Sequence, residues 1–146
     1  MDPGSIFAPN FGGAITITER RWHVHVRNVA NVVERAMRAA KCHADVVLTD
    51  DRTIKRLNAR DRARNKPTNV LTYEQPPEIL LGLGVVLREA RAEQKTVTAH
   101  LSHLLIHGAL HLAGHDHHEA GQARRMERAE TWLLARIKTK NPWKNR

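Results

Sequence analysis

At 146 residues with a 41% apolar fraction, the chain has the length and composition of one globular domain. A net charge of +9 favours an anionic partner, nucleic acid or a membrane surface, while a 4% aromatic content argues against repeated aromatic stacking. The single cysteine, Cys42, excludes an intramolecular disulfide and any multi-cysteine zinc site.

Residues 1–13 carry Pro3, Gly4, Pro9, Gly12 and Gly13 without periodicity, which predicts a flexible lead-in to a single domain over 14–146. Ala14 to Arg20 alternates Ile15 and Ile17 with Thr16 and Thr18, the pattern of a half-buried strand. Val29, Val33 and Met37 predict an amphipathic helix over Val26 to Ala40. Val46-Val47-Leu48 predicts a strand over Asp45 to Thr49, and Asp50 and Asp51 follow as caps for a helix to about Arg60. Thr68 to Tyr73 reads as a further strand, and Glu74-Gln75-Pro76-Pro77 as a turn. The apolar run from Ile79 to Leu87 is broken twice by glycine and is too short to span a bilayer. Val85 to Lys95, Thr98 to Ala113 and Glu119 to Lys138 predict three helices. Strands early and helices late make this an α+β chain. No charged, apolar and cleavage-site series opens it, which predicts a cytoplasmic protein.

Seven of the ten histidines fall between His100 and His118, far more than an even scatter would place there. His100, His103, His107 and His111 are spaced three, four and four, so they share one stripe of a helix. Gly114 then stands where a helix ends in a left-handed cap, and a reversal there brings His117 back towards His107 and His111. Three nitrogens and an open fourth position suit a catalytic zinc, with nickel or copper as alternatives. A lone histidine on a helix is more often an ordinary surface or core residue. His100, His103, His115 and His118 keep that reading, beside possible roles in supporting the metal or touching RNA. The spacing His-x3-His-x2-Gly-x2-His is also the skeleton of the zincin proteases. Their general-base Glu is replaced here by Gly108, which removes the protease chemistry and leaves a zincin-like metal-bearing helix.

The run His107-Gly108-Ala109-Leu110-His111-Leu112-Ala113-Gly114-His115-Asp116-His117 strongly resembles the signature of the YbeY family of bacterial metal-dependent endoribonucleases. Leu57-Asn58, Arg62 and Lys66-Pro67-Thr68-Asn69-Val70-Leu71-Thr72 carry a second block of the same resemblance. The similar pattern extends from about Ile15 to Ile137. It implies a small mixed sheet of about four strands packed with helices, and one zinc per chain held by His107, His111 and His117. It also implies a catalytic pair of Arg62 and His107. The implied activity is cleavage of single-stranded RNA, in maturing the small-subunit rRNA end and in ribosome quality control. The implied partners are ribosomal RNA, the ribosome, a small-subunit ribosomal protein and an assembly GTPase, with no membrane. The chain departs from the family in two places. His115 stands where Tyr is usual, and Leu81-Gly82-Leu83-Gly84 stands where Gly-Asp usually opens a strand. The second departure predicts a shortened or missing strand.

Seven basic residues (Arg52, Lys55, Arg56, Arg60, Arg62, Arg64, Lys66) face one acid, Asp61, between positions 52 and 66. Spacing alone reads as a solvated helix face or a phosphate-tracking groove, and only the resemblance selects Arg62. A second basic group runs from Arg124 through Arg125, Arg128 and Arg136 into the tail, and reads as solvated surface or general ribosome affinity. The expected chemistry has zinc polarising a phosphoryl oxygen or activating water while Arg62 offsets growing charge. Asp116 is placed either to orient a histidine or to close the turn after Gly114. The alternative is an RNA-binding ribosome-assembly factor with a structural metal and little nuclease activity. A hydrolase of another substrate is the third reading.

Overall fold

The computed structural model describes residues 5–7, 11–115 and 119–137. In chain order its elements are β1 (Ser5–Phe7), β2 (Ile15–Ile17), α1 (Trp22–His25), α2 (Val29–Ala39), β3 (Asp45–Thr49), α3 (Asp51–Arg62), β4 (Val70–Glu74), β5 (Pro77–Gly82), α4 (Leu83–Ala92), α5 (Val97–Leu112) and α6 (Ala120–Arg136). The strands form one mixed sheet in the order β1-β2-β3-β5-β4. β2, β3 and β5 are parallel, and β1 and β4 close the two edges antiparallel. This is the α+β class expected, with a three-residue edge strand added from within the segment read as a lead-in. Among the described residues no helix is long and apolar enough to cross a membrane.

The two-residue period of the strands sorts their side chains onto two faces. Ile15, Ile17, Val46, Leu48, Ile79 and Leu81 are all buried in one large core with α2, α5 and α6. Leu71 and Leu80 turn the other way and pack with Ile54, Val47 and Leu57 under α3. The inner strands β3 and β5 are therefore apolar on both faces, which explains why Val46-Val47-Leu48 and Ile79-Leu80-Leu81 are continuous apolar runs. At about 1.5–3 kcal/mol for each fully buried side chain, they make a rigid floor. α5 lies on that floor and packs against α2, α4, α6 and β4.

Two expectations need correction. The helix expected from Val26 begins at Val29, because Asn28 takes a left-handed φ of 52°, which asparagine tolerates better than most residues. The preceding turn is the separate α1, whose buried Trp22 donates its indole N–H to Thr49 O at 2.9 Å. The strand put in question near Gly82 is present as six-residue β5, paired on both sides. It starts upstream at Pro77, so Leu81-Gly82 end the strand and Leu83-Gly84 open α4. The first turn of α4 is held by an acid from α3, since Asp51 Oδ1 accepts the Val85 N–H at 3.0 Å. A Cβ at Gly84 would lie 2.3 Å from Asp51 Oδ2, so a glycine there lets the carboxylate in.

Candidate metal centre

α5 begins at a Thr96 cap, whose Oγ1 accepts the Ala99 N–H at 3.0 Å. It ends in a Schellman turn. Gly114, at φ +100°, donates its N–H to His111 O at 3.0 Å, and His115 N–H reaches Leu110 O at 2.9 Å. The left-handed cap expected at Gly114 is therefore present. His107 and His111 stand one turn apart on α5, with ring centroids 4.8 Å apart and planes at 76°. Two imidazoles presented together from one rigid helix form part of a donor set that zinc takes. Asp116, His117 and His118 lie outside the described residues, so the third expected ligand does too.

The partner of His107 was not visible to sequence reasoning. Glu130 of α6 is only 9% exposed, and its Oε2 lies 2.5 Å from His107 Nδ1. Its other oxygen lies 2.9 Å from His103 Nε2. A carboxylate accepts, so His107 carries its proton on Nδ1 and presents the Nε2 lone pair, the form that ligates metal. His103 receives the Lys95 ammonium at Nδ1, 3.3 Å away, and so donates to Glu130 through Nε2–H. Burial pushes the Glu130 carboxyl up, but the hydrogen bonds from His103 and His107 outweigh it and bring the pKa to about 2. The carboxylate thus stays charged beneath the histidine stripe. A sequence signal existed: Met126, Glu130, Leu133, Leu134 and Ile137 share the buried face of α6, and only Glu130 is an acid.

At the other end of the stripe, His100 is 3% exposed and its Nε2 donates to Glu89 Oε1 at 2.8 Å. Asn69 also donates to that carboxylate, at 3.0 and 3.2 Å. Glu89, Glu93 and His100 place one ligand atom each within 4.8 Å of the others, a grouping that could hold a metal ion. Lys95 already supplies a cation there, with its ammonium 3.0 Å from Glu93 Oε1. We therefore read this group as a buried ion-pair network tying α4 to α5. Along the stripe His100 pairs with Glu89, His103 and His107 share Glu130, and His107 stacks edge-on with His111 next to the turn.

Arg62 comes from a separate layer. It is the last residue of α3, which ends because Ala63 adopts φ 55°. Buried Asn58 holds the loop beyond: its backbone carbonyl accepts from Ala63 and Arg64, and its amide donates to Lys66 O at 2.9 Å. The Arg62 guanidinium donates to Thr72 O at 2.5 Å and lies 4.8 Å over the Tyr73 ring. Tyr73 in turn donates to Asp61 at 2.6 Å, and Arg60 pairs with the same acid at 2.7 Å. Arg62 is thus exposed at the outer edge of β4, while His107 rides on α5 across the other face of the sheet. The link between them is short. A Cβ at Gly108 would lie 3.3 Å from the Thr72 methyl and 3.2 Å from that of Ile79. Gly108 faces the sheet, so a glutamate at that position would meet β4 and β5.

Beyond the turn, Ala113, Gly114 and His115 line a small hollow with Gln122 and Arg125 of α6. His115 therefore stands in the wall of this hollow.

A family model described as Endoribonuclease YbeY matches residues 10–138. A relative named Endoribonuclease YbeY from Gluconobacter oxydans is 42% identical over 159 aligned positions, covering 99% of this chain and 93% of its own. One of the same name from Chelativorans sp. is 39% identical over 132 positions, covering 77% and 81%. Another from Sinorhizobium medicae is 41% identical over 127 positions, covering 79% and 76%. Among solved structures, the solution structure of TM1509 from Thermotoga maritima matches with a TM-score of 0.55 and 25% identity. That match covers 80% of this chain and 88% of that one.

Proposed function

The chain belongs to the endoribonuclease YbeY family, a family of RNA-hydrolysing enzymes, and on that premise we propose that it cleaves single-stranded RNA with one bound zinc. His107, His111 and His117 are the proposed ligands. The observation that carries this reading is the His107–Glu130 pair, which fixes the imidazole tautomer a metal needs, one helical turn from His111. Zinc bound there supplies Lewis acidity towards a phosphoryl oxygen or a water.

The protein side of the chemistry is charge and position. Arg62, stacked on Tyr73 and tied to the β4 edge, offers a planar fork to two phosphoryl oxygens. Its charge survives at any working pH, and it acts on the negative charge that grows during cleavage. His107 contributes as ligand and catalytic residue, Asp116 as an orienting acid beside the third ligand. The domain over 14–146 carries all of these groups. By family, the proposed setting is the bacterial cytoplasm, with maturation of the small-subunit rRNA end and ribosome quality control. The partners proposed on the same ground are the ribosome, a small-subunit ribosomal protein and an assembly GTPase.

The test compares zinc-loaded wild type with Arg62→Ala and Arg56→Ala, reading cleavage, RNA affinity and zinc content at fixed salt. Arg62→Ala is expected to lose cleavage by about a hundredfold or more, the scale seen when one transition-state donor is removed. It should keep its zinc and its fold. Arg56→Ala should only weaken binding modestly and flatten its salt dependence. Equal cleavage by the two variants would move the chain to the alternative, an RNA-binding assembly factor with a structural metal.

A further inference from the structure

α6 buries Met126, Glu130, Leu133, Leu134 and Ile137, and turns Arg124, Arg128, Trp132 and Arg136 outwards. These four are spaced by four residues, so they form one slowly winding stripe about 18 Å long. Trp132 is 61% exposed, a large apolar ring that the core does not use. The Arg136 guanidinium lies 4.9 Å over its face. Arg124, Glu127, Arg128 and Trp132 line a shallow groove on this side, with Glu127 its only acid. At its N-terminal end the stripe adjoins Arg125, which lines the hollow beside Gly114 and His115.

We propose that this face of α6 is a binding track for single-stranded RNA, leading to or from the hollow at the Gly114 turn. The proposal rests on the reading of the chain as an RNA-cleaving enzyme. Three arginines track phosphates, and Trp132 stacks on an unpaired base. A duplex would offer the same phosphates but no open base face, so the tryptophan selects single strands. The track lies outside the metal ligands and Arg62, and sets how well longer substrates are held.

The experiment measures binding of a fluorescein-labelled oligouridylate of about 20 nucleotides, long enough to reach past one such track, by anisotropy over a salt series. The proteins are wild type, Trp132→Ala, Trp132→Phe and the pair Arg128→Ala/Arg136→Ala. Trp132→Ala should weaken single-strand binding about fivefold or more, with Trp132→Phe close to wild type. The arginine pair should flatten the slope of log affinity against log salt by about 1.4, the value for two lost phosphate contacts on a single strand. Duplex RNA should feel the arginine pair and not Trp132→Ala. Single-strand affinities of Trp132→Ala and the arginine pair that match wild type would overturn the track. So would an equal Trp132→Ala loss on duplex, or anionic vesicles binding as tightly as the oligonucleotide. Should Trp132→Ala melt early, the salt slope of the arginine pair decides. Cleavage of the same oligonucleotide separates the two readings: loss of the track leaves cleavage by wild type in place, whereas a chain that is no nuclease binds without cutting.

Discussion

A carboxylate buried as deeply as Glu130 ordinarily titrates high, because burial disfavours its charge. Here two imidazoles outweigh that cost and hold it at about 2. Its value lies in direction: one oxygen serves His103 and the other His107, so both rings are locked in one tautomer and one orientation. Glu130→Gln keeps the volume, but its amide offers one acceptor and one donor to two N–H groups. Zinc affinity is expected to fall about 10–100-fold, with the far-ultraviolet spectrum unchanged. Competition against a chromophoric chelator reads this directly, and an affinity equal to wild type would show that the acid only fills space.

At the level of the element, α5 has to pack on the sheet and hold His107 against Glu130 of α6 together. Its register is set by Gly108, which allows the helix to sit within reach of the Thr72 and Ile79 methyls. Moving α5 outwards would disturb the placement of His107 against Glu130 of α6. Gly108→Val inserts a branched side chain where even a Cβ is tight. The expected cost is about 1–3 kcal/mol of stability, together with weaker zinc binding. A urea midpoint and a zinc titration on the same sample check both halves. Stability lost with zinc affinity intact would mean that the sheet yields and the helix stays in place. The α3–β4 connection works in a similar way, since Asn58 braces the loop after Arg62 and so sets where its guanidinium meets Thr72 and Tyr73.

For the whole molecule, the polar network between α4 and α5 links stability to pH. Burial lowers the His100 pKa below 6.5; the Glu89 hydrogen bond opposes this, and the nearby Lys95 charge adds to it. The unfolded chain then binds a proton near 6.5 that the folded chain resists. Stability from this residue is present above about 6.5 and is lost as pH falls from there towards the folded value. His100→Asn removes the titrating group while leaving a donor for Glu89. Melting temperatures of both proteins between about pH 7.5 and 5.5, at one zinc concentration, should fall less steeply for the variant. The remaining histidines are the same in both proteins, so equal slopes would rule His100 out as the source.

Local chemistry was legible from residues alone. Val46-Val47-Leu48, the Asp50 cap of α3 and the left-handed Gly114 were all readable, because each depends on neighbours a few positions away. The family, too, followed from two short blocks. The relations across the chain were not legible. Glu130 reaches His107 over 23 positions, Asp51 caps α4 over 34, and Arg62 meets an edge strand that only the sheet order brings beside it. Spacing determines which residues share a face of one element. Which faces meet is decided by burying the apolar residues of all the elements in one core. The histidine stripe was therefore in the sequence, but the pairing of His100 with Glu89 and of His103 and His107 with Glu130 belongs to the packing of α4 and α6 against α5.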